Sequence, residues 1–154
     1  MGTFSGKKMN KIDVAKQYID TLINFKNLSD AQKASINQIL SVYYEFTNQA
    51  SKALEINKQL IRSNYSYTDL SSMLFKISNN YKALNKMDSA LLYAEKAEDC
   101  KPDSDYYLNN LYYKNIGEIS EQLMLWHISA NAYKTAYTLQ EKANFLKDEY
   151  GTGG

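Results

Sequence analysis

Apolar residues recur every three to four positions along almost the whole chain, the spacing that lines one face of an α-helix. Ile12, Ala15, Tyr18, Ile19, Leu22 and Phe25 form a first stripe, broken at Asn27-Leu28. Ser29 and Gln32 then fit a capping box, in which hydroxyl and amide satisfy the free N–H groups of a new helix start. Ile36, Ile39, Leu40, Tyr43 and Phe46 continue as a second stripe. A third helix is predicted near residues 50–63 on Ala53, Leu54, Ile56, Leu60 and Ile61, followed by a polar link at 64–68. Leu74, Ile77, Tyr81 and Leu84 mark a fourth helix. After a tight turn at 85–88, Ala90, Leu91, Tyr93, Ala94 and Ala97 mark a fifth. Pro102 ends it, lacking the N–H that a helix needs. A sixth helix is expected near 104–122, with Asp103 as its cap. The seventh carries Leu125, Ile128, Ala132, Ala136, Leu139, Ala143, Leu146 and Tyr150, a near-heptad seam that outruns the sixth helix.

Composition agrees with this pattern. The 154 residues contain one Pro and six Gly, five of them beside the termini, so the interior is almost free of helix breakers. With 44% hydrophobic and 23% charged residues the chain belongs to the folded class. Its formal net charge of +1 gives no nucleic-acid footprint. No apolar run is long enough to insert into a membrane. Arg62 is the sole arginine, which argues against bidentate phosphate or carboxylate clamps. Cys100 has no partner for a disulfide or a zinc site and reads as a small buried hydrophobe. Residues 1–8 read as disordered or a cloning remnant without a secretory signal, 9–150 as one helical domain, and 151–154 as a flexible tail. The compartment stays open: a soluble segment, cytoplasmic or periplasmic, of a larger protein.

Two helices joined by a short turn invite a search for a repeat. Asp88-Ser-Ala-Leu-Leu-Tyr-Ala-Glu-Lys-Ala, followed by Pro102, resembles the second helix of a tetratricopeptide repeat (TPR). That family places small residues at positions 8, 20 and 27 of its unit, where two helices approach closely; Ser78, Ala90 and Ala97 stand there. Tyr81 and Pro102 match two further positions, and Leu74 stands where the family often has Trp. Upstream, Leu40, Ser41, Tyr44 and Ala53 are in phase, with Leu60 replacing a small residue. Downstream, Ile116, Gly117, Ser129, Tyr133 and Ala136 are in phase. The resemblance covers residues 34–139 and implies an all-α, right-handed solenoid of antiparallel helical hairpins, about three repeats and seven helices. The first helix would then be a leftover or a cap on the apolar edge.

Few residues invite chemistry. His127, beside Trp126, has no assigned acidic partner to orient it. Glu118, Glu121 and Glu141 lack the second histidine of a di-iron site. Asp99, Asp103 and Asp105 lack the glycine and distal Glu of a calcium loop. Neither catalysis nor a metal or cofactor is expected. The fourteen tyrosines are the residue in excess. In the pairs Tyr43-Tyr44, Tyr106-Tyr107 and Tyr112-Tyr113, successive side chains point about 100° apart, so one of each pair packs between helices and the other nears the rim.

The resemblance also implies a site. In this family the first helices line a concave groove, here through Gln38, Val42 and Phe46, then Phe75, Asn79 and Lys82, then Lys114, Glu118 and Gln122. A subgroup holds a terminal carboxylate there. Asn79 and Lys114 match that set, but Gln38, Val42 and Glu118 do not, and Glu118 would repel a carboxylate. The expected function is non-catalytic recognition of a protein or extended peptide. The alternative is a sensory segment of a larger, membrane-anchored bacterial signalling protein or transcription regulator, forming a homodimer through the last helix.

Overall fold

The computed structural model describes residues 10–63, 69–102 and 105–150. Seven helices and no strands occur among them: α1 (Lys11–Ile23), α2 (Asp30–Phe46), α3 (Ala50–Arg62), α4 (Leu70–Ala83), α5 (Met87–Cys100), α6 (Tyr106–Gln122) and α7 (Trp126–Tyr150). They belong to two compact units, Met1–Tyr67 and Thr68–Gly154. In the first, α1 packs on α2 and α2 pairs with α3. In the second, α4 pairs with α5 and α6 with α7, and α5 packs on α6. Readings for 1–8, 64–68, Asp103 and 151–154 fall outside the described residues.

The first helix of each hairpin starts on a side-chain cap. Ser29 accepts from the Gln32 N–H and Gln32 reaches back to the Ser29 N–H at 2.8 Å, the expected capping box. Asp69 caps α4 through Ser72, and Asp105 caps α6 through Leu108. The second helix follows after three residues, and all three turns share one conformation. Asn48, Asn85 and Met124 adopt left-handed φ values of 57°, 57° and 60°. The next N–H reaches back five residues, from Gln49 to Tyr44, Lys86 to Tyr81 and Leu125 to Ser120, at 2.8–2.9 Å. This is the Schellman closure, which satisfies orphan carbonyls and reverses the chain tightly.

Tight turns bring backbones together, so small side chains fill the crossings. Ser41, Ala53, Ser78, Ala90, Ala97, Gly117, Ser129 and Ala136 are all buried. Where such a residue carries a hydroxyl, the hydroxyl finds a partner within the hairpin. Ser78 Oγ donates to the Ala90 carbonyl at 2.8 Å, and Ser129 Oγ to the Gly117 carbonyl at 3.0 Å. Two turns away, Ser71 Oγ donates to Ala97 O at 2.9 Å and Asn110 Nδ2 to Ala136 O at 2.5 Å. In the first hairpin Ala34 and Leu60 fill the equivalent crossing without a polar atom, while Ser41 Oγ bonds Asn57 Oδ1 at 2.6 Å. In the second unit Ala90, Ala94, Ile116, Ile119 and Ala132 make the core, with Tyr81, Leu91 and Tyr113 packed against it.

Several expectations are corrected. α1 ends at Ile23, so Phe25 lies beyond it, and Tyr18 is exposed because the inward face centres on Ile19. In α2 the inward face runs through Ala34, Ile36 and Ser41, leaving Ile39 and Phe46 exposed. Cys100 is exposed, because the inward face of α5 steps through Ala90, Ala94 and Ala97 and leaves Cys100 beside it. The cap of α6 is Asp105.

Candidate functional site

The predicted groove residues of the second unit lie on α4 and α6, and a bonded network joins the two helices. Ser78 Oγ, already donating to Ala90 O, accepts from Asn115 Nδ2 at 3.1 Å. Asn115 Oδ1 accepts from Lys82 Nζ at 3.0 Å, and the same ammonium donates to Glu118 Oε2 at 2.8 Å. The network therefore runs from a buried helix crossing out to a charged pair at the surface. Asn115 is buried, which fixes the reach of Lys82; Lys82 and Glu118 are partly exposed. An exposed ion pair adds little stability by itself, but here one partner is also held by a buried amide.

One turn earlier, the half-buried Phe75 ring lies 4.8 Å from the buried Tyr112 ring, tilted by 36°. Tyr112 and Ser71 hydroxyls stand 2.8 Å apart. The single Ser71 proton goes to the Ala97 carbonyl, so Tyr112 is the donor to Ser71. Asn79 is half-buried, whereas Lys114 and Gln122 are exposed on α6. In the first unit, Val42 and Phe46 are exposed on α2 and Gln38 is half-buried with its Nε2 lacking a partner.

Charge on this face is largely self-compensated. Lys82 and Glu118 offset each other, leaving Lys114 as the exposed cation among the three charged positions named. On the far side of α6, Glu98 Oε1 accepts from Tyr113 OH at 2.6 Å and from Lys101 Nζ at 2.8 Å. Burial pushes the Glu98 carboxyl up, but these two donors outweigh it and hold the carboxyl below its ordinary range. Burial, then the bond to Glu98, pushes the Tyr113 phenol up.

No group of three His, Cys, Asp or Glu that could hold a metal occurs among the described residues. Trp126 and His127 are exposed at the start of α7. The α6–α7 register, with Gly117 opposite Ser129 and Asn110 opposite Ala136, places Tyr106 opposite Gln140. Residues 141–150 therefore run past the start of α6 by about 15 Å. In the expected seam, Ala132 and Ala136 are buried against α6, while Leu146 and Tyr150 on the overhang are exposed. No helix among the described residues is long and apolar enough to cross a membrane.

Sequence reasoning missed Asn115, Tyr112 and Ser71 as the supports of this face. Their signal is a polar residue at a core-facing helical position, which is the place where a buried partner is needed.

No family model and no curated protein matches the chain. Among solved structures, a crystal structure of MamA aligns with a TM-score of 0.68 at 22% identity, over 86% of this chain and 72% of that one. A second MamA crystal structure aligns with a TM-score of 0.65 at 22% identity, over 90% and 69% of the two chains. The likeness shows the fold, an all-α array of helical hairpins.

Proposed function

We propose that the chain is a TPR-like protein-interaction module, without catalysis, that docks an extended or helical peptide on the face built by its first helices. In this reading α4 and α6 of the second unit present Phe75, Asn79, Lys82, Lys114, Glu118 and Gln122, and α2 of the first unit presents Gln38, Val42 and Phe46. One observation carries it. α4 and α6 are stitched by Asn115 between Ser78 and Lys82, so their exposed positions form one pre-set surface. A pre-set surface avoids part of the ordering entropy that weakens peptide capture.

Its chemistry indicates the kind of peptide. Aromatic edge from Phe75, amide from Asn79 and Gln122, and one uncompensated ammonium at Lys114 suit a mixed apolar and polar ligand with a single acidic group. A terminal carboxylate with an acidic tail is disfavoured, since Glu118 engages Lys82. Selection from a random peptide library on the intact chain, followed by titration, tests the reading. Lys114→Ala and Gln122→Ala should each weaken a selected peptide several-fold with unchanged melting temperature. Ligands indifferent to both variants would place the site elsewhere.

A further inference from the structure

The three hairpin turns share a backbone, so each shows what the turn itself requires. From the left-handed residue onward the first reads Asn48-Gln49-Ala50-Ser51-Lys52, and the second Asn85-Lys86-Met87-Asp88-Ser89. The third reads Met124-Leu125-Trp126-His127-Ile128, apolar where the others are mostly polar. These side chains are not core: Met124 is 71% exposed, Trp126 63%, Ile128 41% and Leu125 38%. Met124 also holds φ at 60°, a conformation that costs a residue other than Gly or Asn about 1–2 kcal/mol. Two sister turns close without any of this. The strain and the exposed apolar surface are therefore surplus to folding, and such a convex cluster around a Trp is a docking knob.

A receptacle of matching character lies in the first unit. Between the end of α1 and α2, a cleft of about 560 Å³ is lined by Ile23, Phe25, Leu28 and Ile36 together with the polar Asn27, Lys33 and Asn37. Lys33 is exposed. The knob has the opposite charge beside it, Glu121 in the last turn of α6. No Lys or Arg stands between Lys114 and Lys134, so nothing at the knob draws it to an anionic lipid surface.

We propose that the third turn of one molecule docks into the α1–α2 cleft of a second copy, with Trp126 and Met124 filling the cleft and Glu121 facing Lys33. The contact joins unlike surfaces, so it propagates head to tail into a ring or an open chain. It is independent of the peptide groove.

Sedimentation velocity on the full chain from micromolar to near-millimolar concentration tests this, with emission from Trp126, the only tryptophan, as a second readout. Association should grow with concentration and shift the emission to the blue. Glu121→Lys and Lys33→Glu should each weaken association about tenfold. An equimolar mixture of the two should recover it, because each contact between unlike copies again pairs opposite charges. Met124→Asn should weaken association while raising the melting temperature, which separates docking from folding. A wild type monomeric throughout overturns the proposal, as does a mixture that fails to recover. So does association lost with Leu146→Asp yet kept with Trp126→Ser, which would place it on the α7 overhang. A blue shift of the monomer on neutral phosphatidylcholine vesicles, without self-association, would assign the knob to lipid instead.

Discussion

The Tyr133 ring lies directly against Gly117, so close that a Cβ on residue 117 would stand 2.8 Å from Tyr133 Cε1 and 2.9 Å from Cδ1. The ring is tethered, since its hydroxyl donates to Glu121 at 3.0 Å. Gly117→Ala therefore gains about 1 kcal/mol of helix propensity but forces a packed aromatic off its seat, which typically costs about 1–3 kcal/mol. The expected net is a loss, read as a lower melting temperature. In a Tyr133→Leu background the same substitution should become neutral or stabilising. A loss of equal size in both backgrounds would show that the ring is not what excludes the methyl.

Met124 occupies the position that Asn48 and Asn85 fill in the sister turns. Asn tolerates the left-handed region, so Met124→Asn should stabilise the chain by about 1 kcal/mol. For a chain of this size that raises the melting temperature by about 2–4 °C. Asn85→Met should lower it by a similar amount. Calorimetry on the two variants checks both signs.

Asn115 links a buried crossing to the candidate groove. Asn115→Ala leaves Ser78 and Lys82 short of a partner and should cost about 1–3 kcal/mol. It should also loosen Lys82. A double-mutant cycle with Lys82→Met should show coupling of at least about 0.5 kcal/mol; additive losses would mean that the groove and the core are independent.

Glu98, Lys101 and Tyr113 set the pH response of the α5–α6 joint. The folded Glu98 carboxyl is held below its unfolded value, so its contribution is present above the unfolded pKa of about 4.3 and is lost as pH falls through the folded value. Lys101 is raised by its bond to Glu98 after burial lowers it, and Tyr113 is raised mainly by burial. Both contributions are present below their unfolded values and are lost as pH rises past them. Stability should thus be flat between mild acid and mild alkali and fall at both ends. Glu98→Gln should flatten the acid limb, as followed by thermal melts at stepped pH.

Much of this architecture was legible in the sequence because it depends on local chemistry. Ser29 and Gln32 announce a helix start, Pro102 a stop, and the small residues at 78, 90, 97, 117 and 136 mark the crossings. What escaped depends on partners distant in sequence. Tyr18, Ile39 and Phe46 fit an apolar stripe, yet periodicity alone cannot say how wide a stripe its neighbour covers. The third left-handed turn was hidden because Met124 is a poor signal for one. Of the candidate site, positions on α4 and α6 could be inferred from the resemblance. The bond from Lys82 to Glu118, 36 residues apart, could not.

The sharpest trial of peptide docking on the first-helix face is an amide chemical-shift map of the chain titrated with a library-selected peptide. Shifts should concentrate at Phe75, Asn79, Lys82, Lys114, Glu118 and Gln122, leaving the outward faces of α5 and α7 unmoved. Perturbations centred on α5 or α7, with the α4–α6 face silent, would contradict the account.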